Sequence, residues 1–464
     1  MHDDLKASVS ADMPRLKELL ATLIRMESVS AVGYDPAAVR TAAESIVDML
    51  DAAGFTGARL LESADGHPGI FAERAGPEGA PTVLLYAHYD VQPPGPAEEW
   101  ETGPFDPMER NGRLYGRGAS DDKGGVLVAI RAVEALAAAG GKPPLNITFL
   151  IEGEEEIGSP NLTAFMEQHR DLLAADLAIS ADGGIFGVGV PSVTVGSRGL
   201  AGAELRVKGA AADLHSGSFG GAVANPIMAL SRILASMQDE QGRVLVDGFH
   251  DGVTDLDPAV RKALDATPVD DAAELSALAL ADWWGDPLYT PLERRTVRPT
   301  LEINGVTGGF QGRGIKTVLP SEASAKITCR LVGSQDPTKV FEALAAHVRK
   351  VTPPGVTATL MRLPGRAKPY QMPVDHPVLE LANASLRSVF GKEPFFEWSG
   401  GTVPVAETFH SMLGIWCLYF AFGEPDNQLH APNEFVRMGT MRQGTEATVR
   451  LLLALADDPA ALRG

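Results

Sequence analysis

The chain has 464 residues, of which 45% are hydrophobic, 6% aromatic and 22% charged. That composition excludes a disordered or collagen-like chain, and the length suits roughly two to four domains. Acidic residues number 60 and basic ones 40, for a formal net charge of −20, which argues against nucleic acid and anionic membranes as main partners and hints at carboxylates holding cations.

No run reaches the ~18 apolar residues of a membrane span. The start, Met1-His2-Asp3-Asp4, lacks the basic-then-apolar order of a secretory signal. Cys329 and Cys417 lie in apolar runs, away from any CxxC or histidine. They read as buried, inert thiols, and such sparse cysteine use points to a reducing compartment, the cytoplasm.

Leu16 to Met26 and Val39 to Leu50 carry apolar residues at helical spacing. Thr82 to Ala87 is a near-continuous apolar run, the pattern of a strand buried on both faces of a parallel sheet. A helix follows over Lys123 to Ala139, stopped by Gly140-Gly141. Then come a strand over Asn146 to Ile151, a helix over Asn161 to Leu173 and a strand over Ala175 to Ser180. This alternation predicts an α/β fold: a mostly parallel sheet with helices on both faces.

From about Ser197 the texture changes. Ala203 to Lys208 alternates with period two, so one face of that strand is wet. A helix over Pro226 to Met237 follows, then an acidic, Pro-rich insertion over Asp247 to Pro299 that contains Trp283-Trp284. Strands over Leu301 to Val306, Ala325 to Val332 and Val356 to Leu363, with a helix near Pro337 to Val351, complete a small α+β domain. Beyond Pro369 the buried pattern returns, with helices over Val378 to Phe390 and Arg437 to Leu455 around a strand over Ile415 to Phe420. The expected organisation is a catalytic domain in two parts, residues 1–197 and 368–464, interrupted by an inserted domain over 198–367.

Four segments carry chemistry. Tyr86-Ala87-His88-Tyr89-Asp90 closes the first buried strand, where open α/β sheets build their sites. His88 and Asp90, two apart on an extended chain, face the same way, so Asp90 can orient the imidazole. Gly116 to Gly125 is a Gly-rich loop with Asp121 and Asp122 before a helix; these acids cap the helix or hold a metal. Glu152-Gly153-Glu154-Glu155-Glu156 crowds four carboxylates past the next strand. Such a run is either a solvated loop or a set compensated by cations. Asp182 follows the next strand again, and His430 lies in the loop Gly423 to Glu434 before the last helix.

Together His88, Asp121, Glu156, Asp182 and His430 form one set. Two imidazoles and three carboxylates suit a pair of borderline ions such as zinc, with one carboxylate bridging. Two metals polarise a carbonyl and activate a shared water, and a spare glutamate beside a ligand takes the proton.

The strings LLYAHYDVQPPG, GRGASDDKGG, IEGEEEIGS, DLHSGSFGG and QLHAPNE resemble the dimetal dipeptidases of the carnosinase type, within the aminoacylase and carboxypeptidase-G-like metallopeptidase superfamily. GVTGGFQGRGIKTVLP and FGKEPFFEWSGGTVPV match too, and the resemblance covers roughly residues 15 to 455. It implies two zinc ions per chain, with manganese or cobalt as substitutes. His88 and Asp182 would bind one ion, Glu156 and His430 the other, and Asp121 both. Glu155 would be the general base, Asp90 the support of His88, and Glu154 an extra acid outside the ligand set. The peptide between Asp121 and Asp122 is often cis in the family.

The inserted domain resembles the family's lid and dimerisation domain, so a homodimer is implied. His215, Thr317 and Arg330 match lid residues that contact substrate, and Gly400, Gly401 and Thr402 match the loop that holds the substrate carboxylate. The plainer readings are a helix-capping loop residue for His215 and a strand-edge surface charge for Arg330. The family often carries a histidine before Lys-Pro-aromatic; Pro364 to Tyr370 has none and contains Arg366.

The implied activity is a zinc exopeptidase acting on dipeptides or short peptides. An N-acyl-amino-acid deacylase on the same site is the near alternative. A dimetal phosphoesterase is a different class, disfavoured by the two histidines, and a metal-free binding protein is disfavoured by the complete ligand set. Gly309 to Gly314 does not follow the dinucleotide pattern.

Overall fold

Val83 to His88 is buried without interruption, and the strand Thr82–His88 lies at the centre of a sheet. This computed structural model describes residues 2–140 and 143–463. The chain divides into two units: Met1–Val195, Met372–Glu397 and Val405–Gly464 form the first, and Gly196–Gln371 with Trp398–Pro404 the second.

In the first unit the strands run in the order Thr56–Leu61, Gly69–Arg74, Asn146–Glu152, Thr82–His88, Leu177–Ser180, Cys417–Tyr419 and Ser192–Ser197. The central four are parallel, and the flanking pairs are antiparallel. The fold is the expected α/β sheet with helices packed on it. Their register brings four strand ends to one edge, because His88 lies opposite Glu152, Tyr86 opposite Ser180, and Ser180 opposite Tyr419. The loops that follow leave from that edge, as the topology of parallel sheets requires.

The helices Lys123–Gly140, His2–Ile24, Pro377–Phe390 and Met438–Asp457 pack on one another, and Pro36–Ala52 packs on the two outer strands. The first helix begins well before Leu16. Its buried stripe, Val9, Leu16, Leu20 and Leu23, starts in an Ala/Ser-rich segment whose periodicity is faint. The helix expected over Asn161 to Leu173 is only Leu162–Gln168. After His169 the chain tightens into single turns, with Leu172 N–H bonding to His169 O and Leu173 N–H to Arg170 O. The helix Lys123–Gly140 reaches Gly140; the other half of the expected stop, Gly141, lies outside the described residues.

The second unit has a four-stranded antiparallel sheet in the order Thr300–Gly308, Glu322–Leu331, Gly199–Lys208 and Thr357–Ala367. The Gly199–Lys208 strand buries every second residue. Leu205, Val207 and Ile327 pack there against Ile233 of the helix Pro226–Ala235 and Leu344 of the helix Pro337–Val351. The acidic segment over 247–299 folds into three short helices, Pro258–Asp265, Asp271–Ala277 and Pro291–Thr296. Its acids are partly explained by capping: Asp257 and Asp270 each accept a backbone N–H at a helix start, and Thr290 with Glu293 forms a capping box. Among the described residues no helix is long and apolar enough to cross a membrane.

Candidate metal centre

Asp121 stands between two imidazoles. Its Oδ1 is 3.0 Å from His88 Nε2 and its Oδ2 is 2.9 Å from His430 Nε2. His88 Nε2 also lies 4.0 Å from Asp182 Oδ1, and His430 Nε2 lies 3.2 Å from Glu156 Oε2. Two clusters result, His88–Asp121–Asp182 and Asp121–Glu156–His430, each with ligand atoms within 4.8 Å of one another. Asp121 is the member they share.

Each side chain is placed by a strand end and a loop locked behind it. His88 is fully buried, and its Nδ1 is 3.1 Å from the Asp90 carbonyl oxygen and 3.4 Å from Asp90 Oδ1. The main-chain oxygen makes the closer contact with the ring, which leaves Nε2 toward Asp121. The Asp90 carboxylate has a further task. It accepts the N–H groups of Glu155 and Glu156 at 3.2 and 3.1 Å and the Ser30 hydroxyl at 2.6 Å. One carboxylate thereby fixes the start of the acidic turn relative to the imidazole.

Within that turn the four glutamates part company. Glu156 accepts from Gln92 Nε2 at 2.9 Å and faces His430. Glu154 turns away, taking the His67 N–H at 3.0 Å and the Asn161 amide at 3.0 Å. Glu152 points back into the core, where it accepts the Tyr86 and Ser159 hydroxyls. Glu155 is left with its carboxylate in the field of Asp182 and His88. Burial, reinforced by Asp182, holds its carboxyl well above the ordinary range.

The loop carrying Asp121 is gripped from the other end of the chain. Glu434, fully buried, accepts the N–H groups of Gly118, Ser120 and Asp121 at 2.9, 2.9 and 3.1 Å, and Arg117 Nη1 at 2.7 Å. The Asp121–Asp122 peptide is cis. Gly125 must be glycine, because a Cβ there would meet Asp122 Oδ1 at 2.0 Å. Gln428, His430 and Asn433 all take left-handed backbone conformations, a costly arrangement for side-chain-bearing residues that is typical of functional loops.

The charges are arranged to receive cations. Burial pushes Asp182 up to about 6, with Asp121 and Glu156 adding to the effect. Burial acts on half-buried Asp121 too, but hydrogen bonds from His430 and His88 outweigh it and hold the carboxyl well below the ordinary range. The same contacts to Asp121 and then Glu156 raise His430 to about 10. Protons on the imidazoles stand where a divalent ion would offset the same carboxylates. The donor set, two imidazole nitrogens and three carboxylates with one in common, suits zinc-like ions.

The remaining sequence-singled residues belong to the second unit. Arg330 Nη1 donates to Thr402 Oγ1 at 2.6 Å, so two of the residues expected to contact substrate meet. Gly400 and Gly401 lie in the same loop, their carbonyls accepting from Arg198. His215, exposed, pairs with Val318 across a two-residue ladder next to Thr317. Its Nδ1 accepts the Gly217 N–H at 3.0 Å, so the neutral ring carries its proton on Nε2. Arg366 is exposed on the strand Thr357–Ala367. Ser30, Gln92, Arg117, Arg198 and Glu434 were not singled out from the sequence. Gln92, Arg117 and Glu434 sit inside the motif strings, and that was their only signal; Ser30 and Arg198 gave none.

Residues 84–454 match the sequence profile of peptidase family M20/M25/M40. The chain is 31% identical over 393 residues to the human Beta-Ala-His dipeptidase, covering 84% of this chain and 78% of that protein. It is 32% identical over 371 residues to the Cys-Gly metallodipeptidase dug1 of Schizosaccharomyces pombe, covering 78% and 77%. The crystal structure of the M20 family metallo-carboxypeptidase Sso-CP2 from Sulfolobus solfataricus superposes with a TM-score of 0.83 at 32% identity, covering 94% and 98%.

Proposed function

This chain belongs to the peptidase family M20/M25/M40 and is a metal-dependent hydrolase, and from that premise we propose that it is a zinc exopeptidase that hydrolyses dipeptides or short peptides. The observation that carries the reading is Asp121, one carboxylate shared by two clusters that each contain one histidine. His88 and Asp182 would hold one ion, Glu156 and His430 the other. When bound, the ions polarise the scissile carbonyl and lower the pKa of the attacking water.

The chain's own residues do the rest. Glu155, with a carboxyl raised by burial, accepts the water proton and passes it to the leaving amine. Asp90 keeps the Glu155 backbone and the His88 ring in one frame. Arg330 with Thr402 offers the substrate carboxylate a charged donor and a hydroxyl. His215 presents Nε2–H for the carbonyl oxygen as it becomes negative.

The inserted domain, residues 198–367, acts as lid and dimerisation domain in this reading. Ile303 and Val306 on the outer strand Thr300–Gly308, with Phe310 and Ile315 just beyond, are exposed apolar residues. An unpaired, apolar sheet edge favours a second copy, and the homodimer would place His215 in the partner's site. Two free, buried cysteines fit the cytoplasm.

The test is a dipeptide panel on enzyme reconstituted with zinc, with product analysis. Release of free amino acids from dipeptides supports the proposal. Hydrolysis confined to N-acyl amino acids, with dipeptides untouched, contradicts it.

A further inference from the structure

Arg198 lies between the strands Ser192–Ser197 and Gly199–Lys208, at 9% exposure. Its Nε donates to the Gly400 carbonyl at 2.9 Å, and its backbone N–H donates to the Gly401 and Ser399 carbonyls at 3.0 and 3.3 Å. Its Nη1 donates to the Arg298 carbonyl at 3.3 Å. Gly400 passes so close to the Arg295 carbonyl that a Cβ there would sit 2.5 Å from that oxygen. The Gly400–Thr402 loop is therefore clamped, and Thr402 at its end accepts from Arg330.

The two guanidinium groups are near enough to sense each other. Burial, then the Arg330 charge, lowers Arg198 to about 10, and burial lowers Arg330. Every hydrogen bond that either guanidinium makes among the described residues goes to a neutral oxygen. Glu302 is in the field of Arg198 without a hydrogen bond to it. Two desolvated cations without a bonded anion are costly, and a free carboxylate arriving at Arg330 and Thr402 would relieve that cost.

We propose that Arg198 sets the preference for substrates with a free α-carboxylate, as a positioning residue that fixes the Gly400–Thr402 loop and places a second positive charge beside Arg330. This rests on the proposed peptidase reading, in which Arg330 and Thr402 take that carboxylate. It adds a residue that contacts the loop rather than the substrate and predicts a defect confined to one substrate class.

The experiment compares a dipeptide with its C-terminal carboxamide, by turnover or by competitive inhibition, on zinc-loaded wild type, Arg198→Met, Arg198→Lys and Arg330→Met. Loss of a charged hydrogen-bonding partner corresponds to about 10- to 100-fold in affinity. Arg198→Met should raise KM for the dipeptide in that range, with kcat and all carboxamide values within about threefold. Arg198→Lys, which keeps the charge and loses the fork, should fall between. It also serves as the readout if Arg198→Met does not fold.

Equal losses on both substrates, or no loss on either, with discrimination lost in Arg330→Met, overturn the role of Arg198 alone. Loss of discrimination in neither arginine variant overturns the carboxylate reading of the loop. A wild type that neither cleaves nor binds dipeptides overturns both.

Discussion

Glu434 accepts the backbone N–H of Asp121 at 3.1 Å, although the two residues are 313 positions apart. The last loop of the chain thereby holds the shared carboxylate in place. Glu434→Ala would strand the Arg117 guanidinium and three backbone donors in a buried setting. Breaking a buried pair by removing one partner costs about 3–5 kcal/mol. Denaturant unfolding should show that loss, and metal analysis should show weaker loading. Glu434→Gln, which keeps an acceptor, should be milder in both.

Glu155 and Glu154 are adjacent but face different tasks. Glu155→Gln should retain metal and lose about 100- to 10,000-fold in hydrolysis, the usual scale of a general base. Glu154→Gln should stay within a few fold of wild type, because its partners are His67 and Asn161. Steady-state assays of both variants decide the register. An active Glu155→Gln beside an inactive Glu154→Gln would move the base to Glu154 and overturn this assignment.

Glu152 offers a pH dependence in the metal-stripped protein. Burial pushes its carboxyl up to about 7 from the ordinary 4.5, against the hydrogen bond from Tyr86. Between those values the folded chain binds more protons than the unfolded one. The contribution of Glu152 to stability is therefore full below the unfolded value and lost as pH rises through the folded one. The shift corresponds to about 3 kcal/mol. Urea unfolding from about pH 5 to about pH 8 should show less of this decline in Glu152→Gln than in wild type. Parallel slopes would contradict it.

His215 is exposed and belongs to a different unit from the metal-centre residues. If it completes the partner's site, His215→Ala and Glu155→Gln homodimers should each be nearly inactive. In a mixed dimer both lesions fall at one site, so the other is wild type. Subunit exchange should then recover up to about half activity per mixed dimer, given two-fold symmetry. No recovery in mixed dimers confirmed by mass spectrometry would place His215 within its own site or outside catalysis.

Strand-end chemistry was legible because buried strands announce themselves as apolar runs. Thr82–His88 and Asn146–Glu152 end at the histidine and glutamate that open the site loops. The helix Pro337–Val351 was equally plain, with Asp336 as cap and Pro337 at its first position. The short outer strands Thr56–Leu61 and Gly69–Arg74 were not, since six mixed residues carry little periodicity. The supports of the site were hidden for another reason. Ser30, Arg117 and Glu434 act through backbone and carboxylate contacts made only by the folded chain, and no spacing along the sequence encodes them.

Zinc titration of the metal-stripped enzyme, with bound metal and dipeptide hydrolysis followed together, tests the shared-carboxylate centre most directly. Activity should reach its plateau at two ions per chain. Asp121→Ala should weaken both binding events, and His88→Ala mainly one. Full activity with a single bound ion, or an Asp121→Ala enzyme that binds two ions as wild type does, would contradict a centre built on Asp121.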